Sequence, residues 1–286
     1  NKSISIIDKS NPKMAGLPLF VLDKYLDILL DNSYTIVIVE QTTKPPNPKR
    51  EVTRVISPAT RNIEQSVENN YLMCLYFTTG SSKNGKFIVA SIAYLDVNTN
   101  KSYIFETSES DTKLNLEDVF KTIYNNKPSE IAIFTDIRTK SNTEFMVTLS
   151  EYISQLSIGC IHNKLLTAID ESFFKLPYQR TVLEKVFKNR GMLSVIEFLN
   201  LESHPTSVTC YTYLIQFIYE HNEKMLEGLN QPIFLDNNKY LSLVNNVVEN
   251  LNIINTNSNT KTSSVHNLLN NCKTAIGKRY FKQCLL

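Results

Sequence analysis

Apolar residues between Pro18 and Leu30 recur at helical spacing: Leu22, Tyr25, Leu26 and Leu29 follow a proline at a helix start, which predicts an amphipathic helix to about Leu30. The next segment, Tyr34-Thr-Ile-Val-Ile-Val-Glu40, is short and β-branched and reads as a buried strand. Lys44-Pro-Pro-Asn-Pro-Lys-Arg50 then makes a rigid basic loop before a second strand around Glu51 to Ser57, closed by Pro58. Helix, strand, loop and strand are too little for a full core. The first sixty residues are therefore expected to continue something that precedes them.

From Tyr71 the periodicity changes. Three β-runs, Tyr71 to Thr78, Phe87 to Asp96 and Lys101 to Glu106, are separated by turns at Gly80 to Gly85 and Asn98 to Asn100, which predicts an antiparallel meander. A helix from about Asn115, with Leu116, Val119, Phe120 and Ile123 on one face, crosses Lys127-Pro128 into a strand at Ile131 to Phe134. The order β-β-β-α-β, with further α/β after it, is that of an RNase H-like domain. From about Ser172 the pattern is almost wholly helical: Val182, Leu183, Val186 and Phe187; Leu193, Ile196 and Leu199; and Tyr213, Leu214, Phe217 and Ile218, ending at Gly228. Gln231-Pro232 breaks the direction; Leu241, Val244, Val248 and Leu251 resume the helical spacing, and Asn255 to Thr262 is a polar linker before short helices near Ser263 and Thr274. The fold class is thus α/β followed by all-α.

Length adds that 286 residues suffice for two or three cores. With Lys+Arg 30 against Asp+Glu 28, net charge neither demands nor forbids a nucleic-acid partner, so only local patches can argue for one. Five scattered cysteines without CxxC spacing read as reduced thiols, and no apolar run approaches the ~20 residues of a membrane helix; a soluble, intracellular protein without a membrane partner is the expectation. The chain begins at Asn1 and stops at Leu286 inside a helical pattern, so both ends are expected to be cuts in a longer protein. Asn makes up about one residue in nine, a bias that an A+T-rich genome produces.

Candidate chemistry is sparse. Gly277-Lys278 fails as a phosphate-binding loop, because Cys272 and Arg279 stand where that motif needs glycine and Ser or Thr. A two-metal nuclease needs converging carboxylates, yet Tyr71-Leu-Met-Cys-Leu-Tyr-Phe77 contains none, and Asp96, Glu106, Glu130 and Asp136 sit at strand ends and turns. His162, His204, His221 and His266 lie far apart, without zinc-ligand spacing, and no GxSxG elbow occurs. The remaining feature is the proline-stiffened basic segment with Lys44, Lys49, Arg50 and Arg54, which could neutralise phosphates or simply be a solvated loop.

Met14-Ala-Gly-Leu-Pro18, Tyr25-Leu26, Val39-Glu-Gln41 and Lys49-Arg-Glu-Val-Thr-Arg-Val-Ile-Ser-Pro-Ala-Thr60 resemble, in order and spacing, the second half of the mismatch-recognition domain of the MutS family. Ser264-Val265, Leu268-Leu269, Thr274-Ala-Ile-Gly277, Arg279, Phe281-Lys282 and Leu285 resemble the segment that opens that family's helical core, or lever, domain. Between them the meander, Tyr178-Gln179, Leu183, Phe187 and the helix from Tyr213 to Leu229 are similar to the family's RNase H-like connector. Ala275, Cys284 and Ala59 depart from the family's usual Pro, Trp and Gly. The Asn/Lys-rich bias fits the branch found in large DNA viruses and in octocoral mitochondria.

The resemblance implies three parts: the end of a mixed α/β mismatch domain at 1–66, a connector at 67–231 and the start of the helical core at 232–286. It implies a DNA partner, double-stranded and mismatched, touched through Lys44, Lys49, Arg50 and Arg54. It also implies a MutS-type dimer and a MutL-type partner docking on the connector. For the full-length protein it implies a DNA-dependent ATPase using ATP and magnesium, while this chain carries no catalytic residue, cofactor site or metal site. The family's mismatch reader, an aromatic wedge in a Phe-x-Glu motif that kinks the duplex, has no counterpart here. Rival readings are a MutS homologue for recombination or junction binding, a divergent RNase H-type nuclease, and an interaction module that does not touch DNA.

Overall fold

The structure, a computed structural model, describes residues 16–43, 47–61, 70–82, 85–110, 117–136, 151, 154, 161–163, 169–188, 191–235, 247–254 and 263–285. A 3-10 turn at Leu19–Val21 follows Pro18 and leads into helix α1 (Leu22–Asp31). The stripe that predicted α1 is only partly buried: Leu26 and Leu30 face inward, while Tyr25 and Leu29 stay exposed. Strands β1 (Ile36–Gln41) and β2 (Arg50–Ile56) form a two-stranded antiparallel hairpin.

Strands β3 (Tyr71–Ser82), β4 (Gly85–Asp96), β5 (Lys101–Ser110), β6 (Glu130–Thr135), β7 (Ile161–Asn163) and β8 (Ile233–Phe234) make one six-stranded sheet, ordered β7-β6-β3-β4-β5-β8. β3, β4 and β5 are the antiparallel meander; β6 joins β3 in parallel after helix α2 (Glu117–Asn126), and β7 joins β6 in parallel. Counted from β3, the first five strands stand in the order 3-2-1-4-5, the RNase H-like arrangement that the element order predicted. Leu116 and Asn115 of the expected helix lie outside the described residues, as do Leu241, Val244 and the linker at 255–262.

All seven residues from Tyr71 to Phe77 are buried because β3 is covered on both faces, which is why it reads as a continuous apolar run. Leu72, Cys74 and Tyr76 point to the side covered by helices α3 (Leu176–Val186), α4 (Val195–Phe198) and α5 (Pro205–Asn222). Tyr71, Met73, Leu75 and Phe77 point to the other side, with Val119 and Ile123 of α2. Each such large side chain removed from water contributes about 1.5–3 kcal/mol, so the two clusters dominate the packing.

Helix α5 is registered on the sheet by polar contacts as well as by packing. The Cys210 thiol donates to the carbonyls of Cys74 (3.4 Å) and Ser91 (3.3 Å), and the Tyr211 hydroxyl pairs with Ser102 Oγ at 2.9 Å. Ser207 Oγ donates to Glu106 Oε2 at 2.6 Å, and the ring of Tyr213 stacks on Phe134 with centroids 4.2 Å apart.

Three expectations need correction. β1 is a strand but not a buried one: Ile36 and Ile38 are half-buried while Val37 and Val39 are exposed, because a two-stranded hairpin has only one face to lay against anything. The meander strands are longer than their apolar cores, so that β3 runs through Gly80 and β4 begins at Gly85, and Gly80 is a strand residue instead of part of the turn. Phe87 lies directly across from Gly80, and its ring occupies the space a Cβ would take. The region after Ser172 is not wholly helical either. Ile233 and Phe234 pair in parallel with Tyr103 and Ile104, and the Leu235 amide donates to Ile104 O at 2.8 Å. Two residues are too few to show an alternation of their own, and the strand exists only because an open sheet edge receives it. Short helices α6 (Val247–Asn250) and α7 (Val265–Leu269) follow, then the longer α8 (Ala275–Leu285).

Candidate nucleic-acid interface

Lys49, Arg50 and Arg54 are exposed on the β1–β2 hairpin; Lys44, with Pro45 and Pro46, lies outside the described residues. At the tip the main chain of Lys49 is fixed at both polar groups. Its amide donates to Thr43 Oγ1 at 2.7 Å, and its carbonyl accepts from the Thr42 amide at 3.0 Å. Thr43 Oγ1 also donates to Asn47 O (3.2 Å), and Gln41 Nε2 donates to Thr43 O (2.8 Å).

The hairpin does not gather its three cations on one side. Directly opposed residues of an antiparallel pair share a face. Ile38 opposes Arg54 whereas Val39 opposes Val52, so Thr53 is an extra residue, a β-bulge, and the alternation resets there. Without it, Arg50 and Arg54, four apart on a strand, would share a face. With it, Arg54 falls on the face of Ile36, Ile38 and Ile56, all half-buried, together with the opposed acids Glu40 and Glu51. Arg50 falls on the face of Gln41, Val39, Val52 and Val37, which carries no acid. Arg54 thus lies on the face opposite Arg50, while Lys49 adjoins Arg50 in sequence at the tip.

Beyond the hairpin the chain turns back and latches onto the six-stranded sheet. The Ser57 amide donates to Thr60 Oγ1 (2.7 Å), closing a buried turn. Within it Ala59 is fully buried, which suits the small residue found there. The Ala59 amide donates to Glu130 Oε2 at 3.1 Å, and Asn70 Nδ2 donates to Ala59 O at 2.7 Å. Arg61 bridges Asp27 (2.9 Å) and Asp31 (2.8 Å) of α1, so helix and turn are held to each other. Sequence reasoning missed Thr43 and Arg61, and set Glu130 aside as a strand-end acid. Thr43, in a polar loop beside prolines, carried a turn-residue signal; the partners of Arg61 and Glu130 are thirty or more positions away and left none.

The other candidates are occupied structurally. Asp96 accepts from the Asn98 amide (3.0 Å) and Thr99 Oγ1 (2.8 Å) and so closes the β4–β5 turn. Glu130 is fully buried and holds Ala59, Glu106 holds Ser207, and Asp136 accepts from Thr78 Oγ1 at 3.1 Å. Among the described residues no three His, Cys, Asp or Glu side chains converge to hold a metal ion. The His204 ring lies tilted against Phe234 (centroids 4.5 Å apart) with Nδ1 3.7 Å from Glu106, while His221 Nδ1 bonds Phe217 O (2.7 Å). Gly277 lies in the first turn of α8 with its amide already given to Thr274 Oγ1 at 3.1 Å, so the residues here do not fit a nucleotide phosphate. No step through ATP or magnesium follows from them.

The described residues thus combine an RNase H-like sheet with a small basic hairpin latched to it. Residues 3–65 match the family model "MutS domain I". A putative DNA mismatch repair protein mutS homolog of Acanthamoeba polyphaga mimivirus is 27% identical over 96% of this chain and 26% of its own length. The DNA mismatch repair proteins MutS of Thermosipho melanesiensis and Dehalococcoides mccartyi are 28% and 24% identical over 99% and 95% of this chain, and 30% and 28% of their own. The chain is thus similar to MutS proteins along nearly its whole length, and it spans between a quarter and a third of the length of these relatives. Among the described residues no helix is long and apolar enough to cross a membrane.

Proposed function

We propose that this chain is the part of a MutS-like mismatch-recognition protein that holds the DNA backbone through the hairpin tip and links that contact to the connector sheet. The observation that carries the reading is the latch: the Ala59 amide, three residues past the end of β2, bonds a buried carboxylate of β6. A load on the hairpin therefore reaches the β-sheet through a short, hydrogen-bonded path and not through a free linker. Lys49 and Arg50 supply the phosphate contacts, with Lys44 in the same loop; Arg54, among acids on the face opposite Arg50, contributes less.

Residues 1–66 act in this reading as the end of the mismatch domain. The sheet is the connector, from 67 to about 231 and extended a few residues further by its edge strand β8, and the helices after it open the core. ATP hydrolysis with magnesium, dimerisation and docking of a MutL-type partner belong to the whole protein; the connector would relay between DNA contact and ATPase, not catalyse.

The test is binding of the chain to matched and mismatched duplexes across a salt series. Backbone contact releases counterions, so log K should fall linearly with log salt, by about 0.9 per phosphate neutralised. Equal affinity for the two duplexes, with a slope reduced by about 2 in Lys49→Ala/Arg50→Ala, supports the reading. A folded chain that binds neither duplex overturns the DNA contact and leaves connection as its role. Magnesium-dependent cleavage lost in Asp136→Asn would point to the nuclease instead.

A further inference from the structure

We infer that Thr43 is a positioning residue for the DNA contact: its hydroxyl holds the Lys49 main chain so that Lys49 and Arg50 leave the hairpin tip in a fixed relation. The inference rests on the function proposed above. Four hydrogen bonds carry it. Thr43 Oγ1 accepts the Lys49 amide at 2.7 Å and donates to Asn47 O at 3.2 Å, spanning the loop from both sides. The Thr42 amide donates to the Lys49 carbonyl at 3.0 Å, and Gln41 Nε2 donates to the Thr43 carbonyl at 2.8 Å. Arg50 needs no such help, because it is already paired with Gln41 in the hairpin ladder.

Lys49 stands one residue outside that ladder, after Pro48, whose ring fixes only its own φ. The clasp around Thr43 is what extends strand-like order to it. An exposed lysine on an unpinned loop must lose main-chain freedom when it meets a phosphate, and a pinned one has already lost it. The clasp thus raises affinity without touching the duplex. Asn47 enters through its carbonyl alone, so replacing its side chain leaves the clasp intact.

Thr43→Val keeps the side chain's shape and removes both bonds of the hydroxyl. It should weaken binding of the 286-residue chain to a matched duplex by about 2- to 10-fold, the range that one or two modest hydrogen bonds supply. Thr43→Ser, which restores the hydroxyl, should bind as the parent does. The decisive arm repeats Thr43→Val in the Lys49→Ala/Arg50→Ala background, where no further loss is expected because the group being positioned is gone. Far-UV circular dichroism of each variant checks that the fold is retained; Thr43 is exposed, so it should be. An equal loss in both backgrounds, or parental binding by Thr43→Val, overturns the inference while leaving the Lys49 and Arg50 contact standing. No salt-sensitive binding by the parent overturns both.

Discussion

The sharpest test of how α5 is registered on the sheet is the buried pair Tyr211–Ser102. The Tyr211 hydroxyl and Ser102 Oγ lie 2.9 Å apart, and the two residues are 0% and 1% exposed. Burial pushes the Tyr211 phenol above its ordinary pKa, with the Ser102 hydrogen bond opposing that shift in part, so the hydroxyl keeps its proton throughout the accessible pH range. Tyr211→Phe leaves the ring in place beside Phe187 but takes away this partner of Ser102. A buried polar group that loses its partner costs about 1–3 kcal/mol, and Ser102→Ala should cost a similar amount for the mirrored reason. Removing both groups leaves two apolar surfaces of nearly unchanged shape, so the double variant should lie within about 1 kcal/mol of the parent. The losses are then strongly non-additive, with a coupling of about 1–2 kcal/mol. Urea unfolding followed by far-UV circular dichroism measures this, with an unchanged denaturant slope showing that only stability moved. A Tyr211→Phe variant within about 0.3 kcal/mol of the parent, or a double variant whose loss is the sum of the singles, would refute the reasoning.

Gly80→Ala should destabilise the chain by about 1 kcal/mol, because the added methyl displaces the Phe87 ring from its place over the strand, and the penalty should vanish in a Phe87→Ala background. Persistence of the full penalty there would place its cause elsewhere. Glu197 caps α4 in reciprocal hydrogen bonds with Ser194, and these bonds, with Arg180 nearby, hold its carboxyl below the ordinary glutamate value. A depressed folded pKa gives stability that is complete above the unfolded value and is lost as pH falls through the folded one. The difference in urea midpoint between the parent and Glu197→Gln should therefore be largest near neutrality and shrink below about pH 4. A difference independent of pH would remove the carboxylate from the account.

Much of the architecture was legible because local periodicity reports which side chains avoid water. The apolar run of β3 is buried throughout, and the 3.6-residue stripes of α3 and α5 keep Val182, Leu183, Leu214 and Ile218 from solvent. The strand-helix-strand order around α2 then left few topologies, and the RNase H-like one is observed. Where the determining partner is remote, or missing, the reading failed. Gly80 is in a strand whose far neighbour Phe87 covers it, and Ile233–Phe234 is a strand because β5 offers an edge. β1 has the β-branched composition of a core strand, yet its hairpin leaves Val37 and Val39 in solvent.

The sequence by itself determined the sheet order and the presence of a basic, proline-rich loop between two strands, which depend on neighbouring residues and their spacing. Tertiary structure alone decided how the basic side chains around that loop are distributed. One bulged residue, Thr53, sends Arg54 to the acidic face, opposite Arg50, although the spacing of the two arginines predicts a shared face. Glu130, at a strand end where solvated carboxylates are common, became a fully buried acceptor for an amide 71 positions earlier. Register and long-range pairing are settled by which groups can desolvate together, and a hydrogen bond between distant residues leaves no periodic trace in either of the segments it joins.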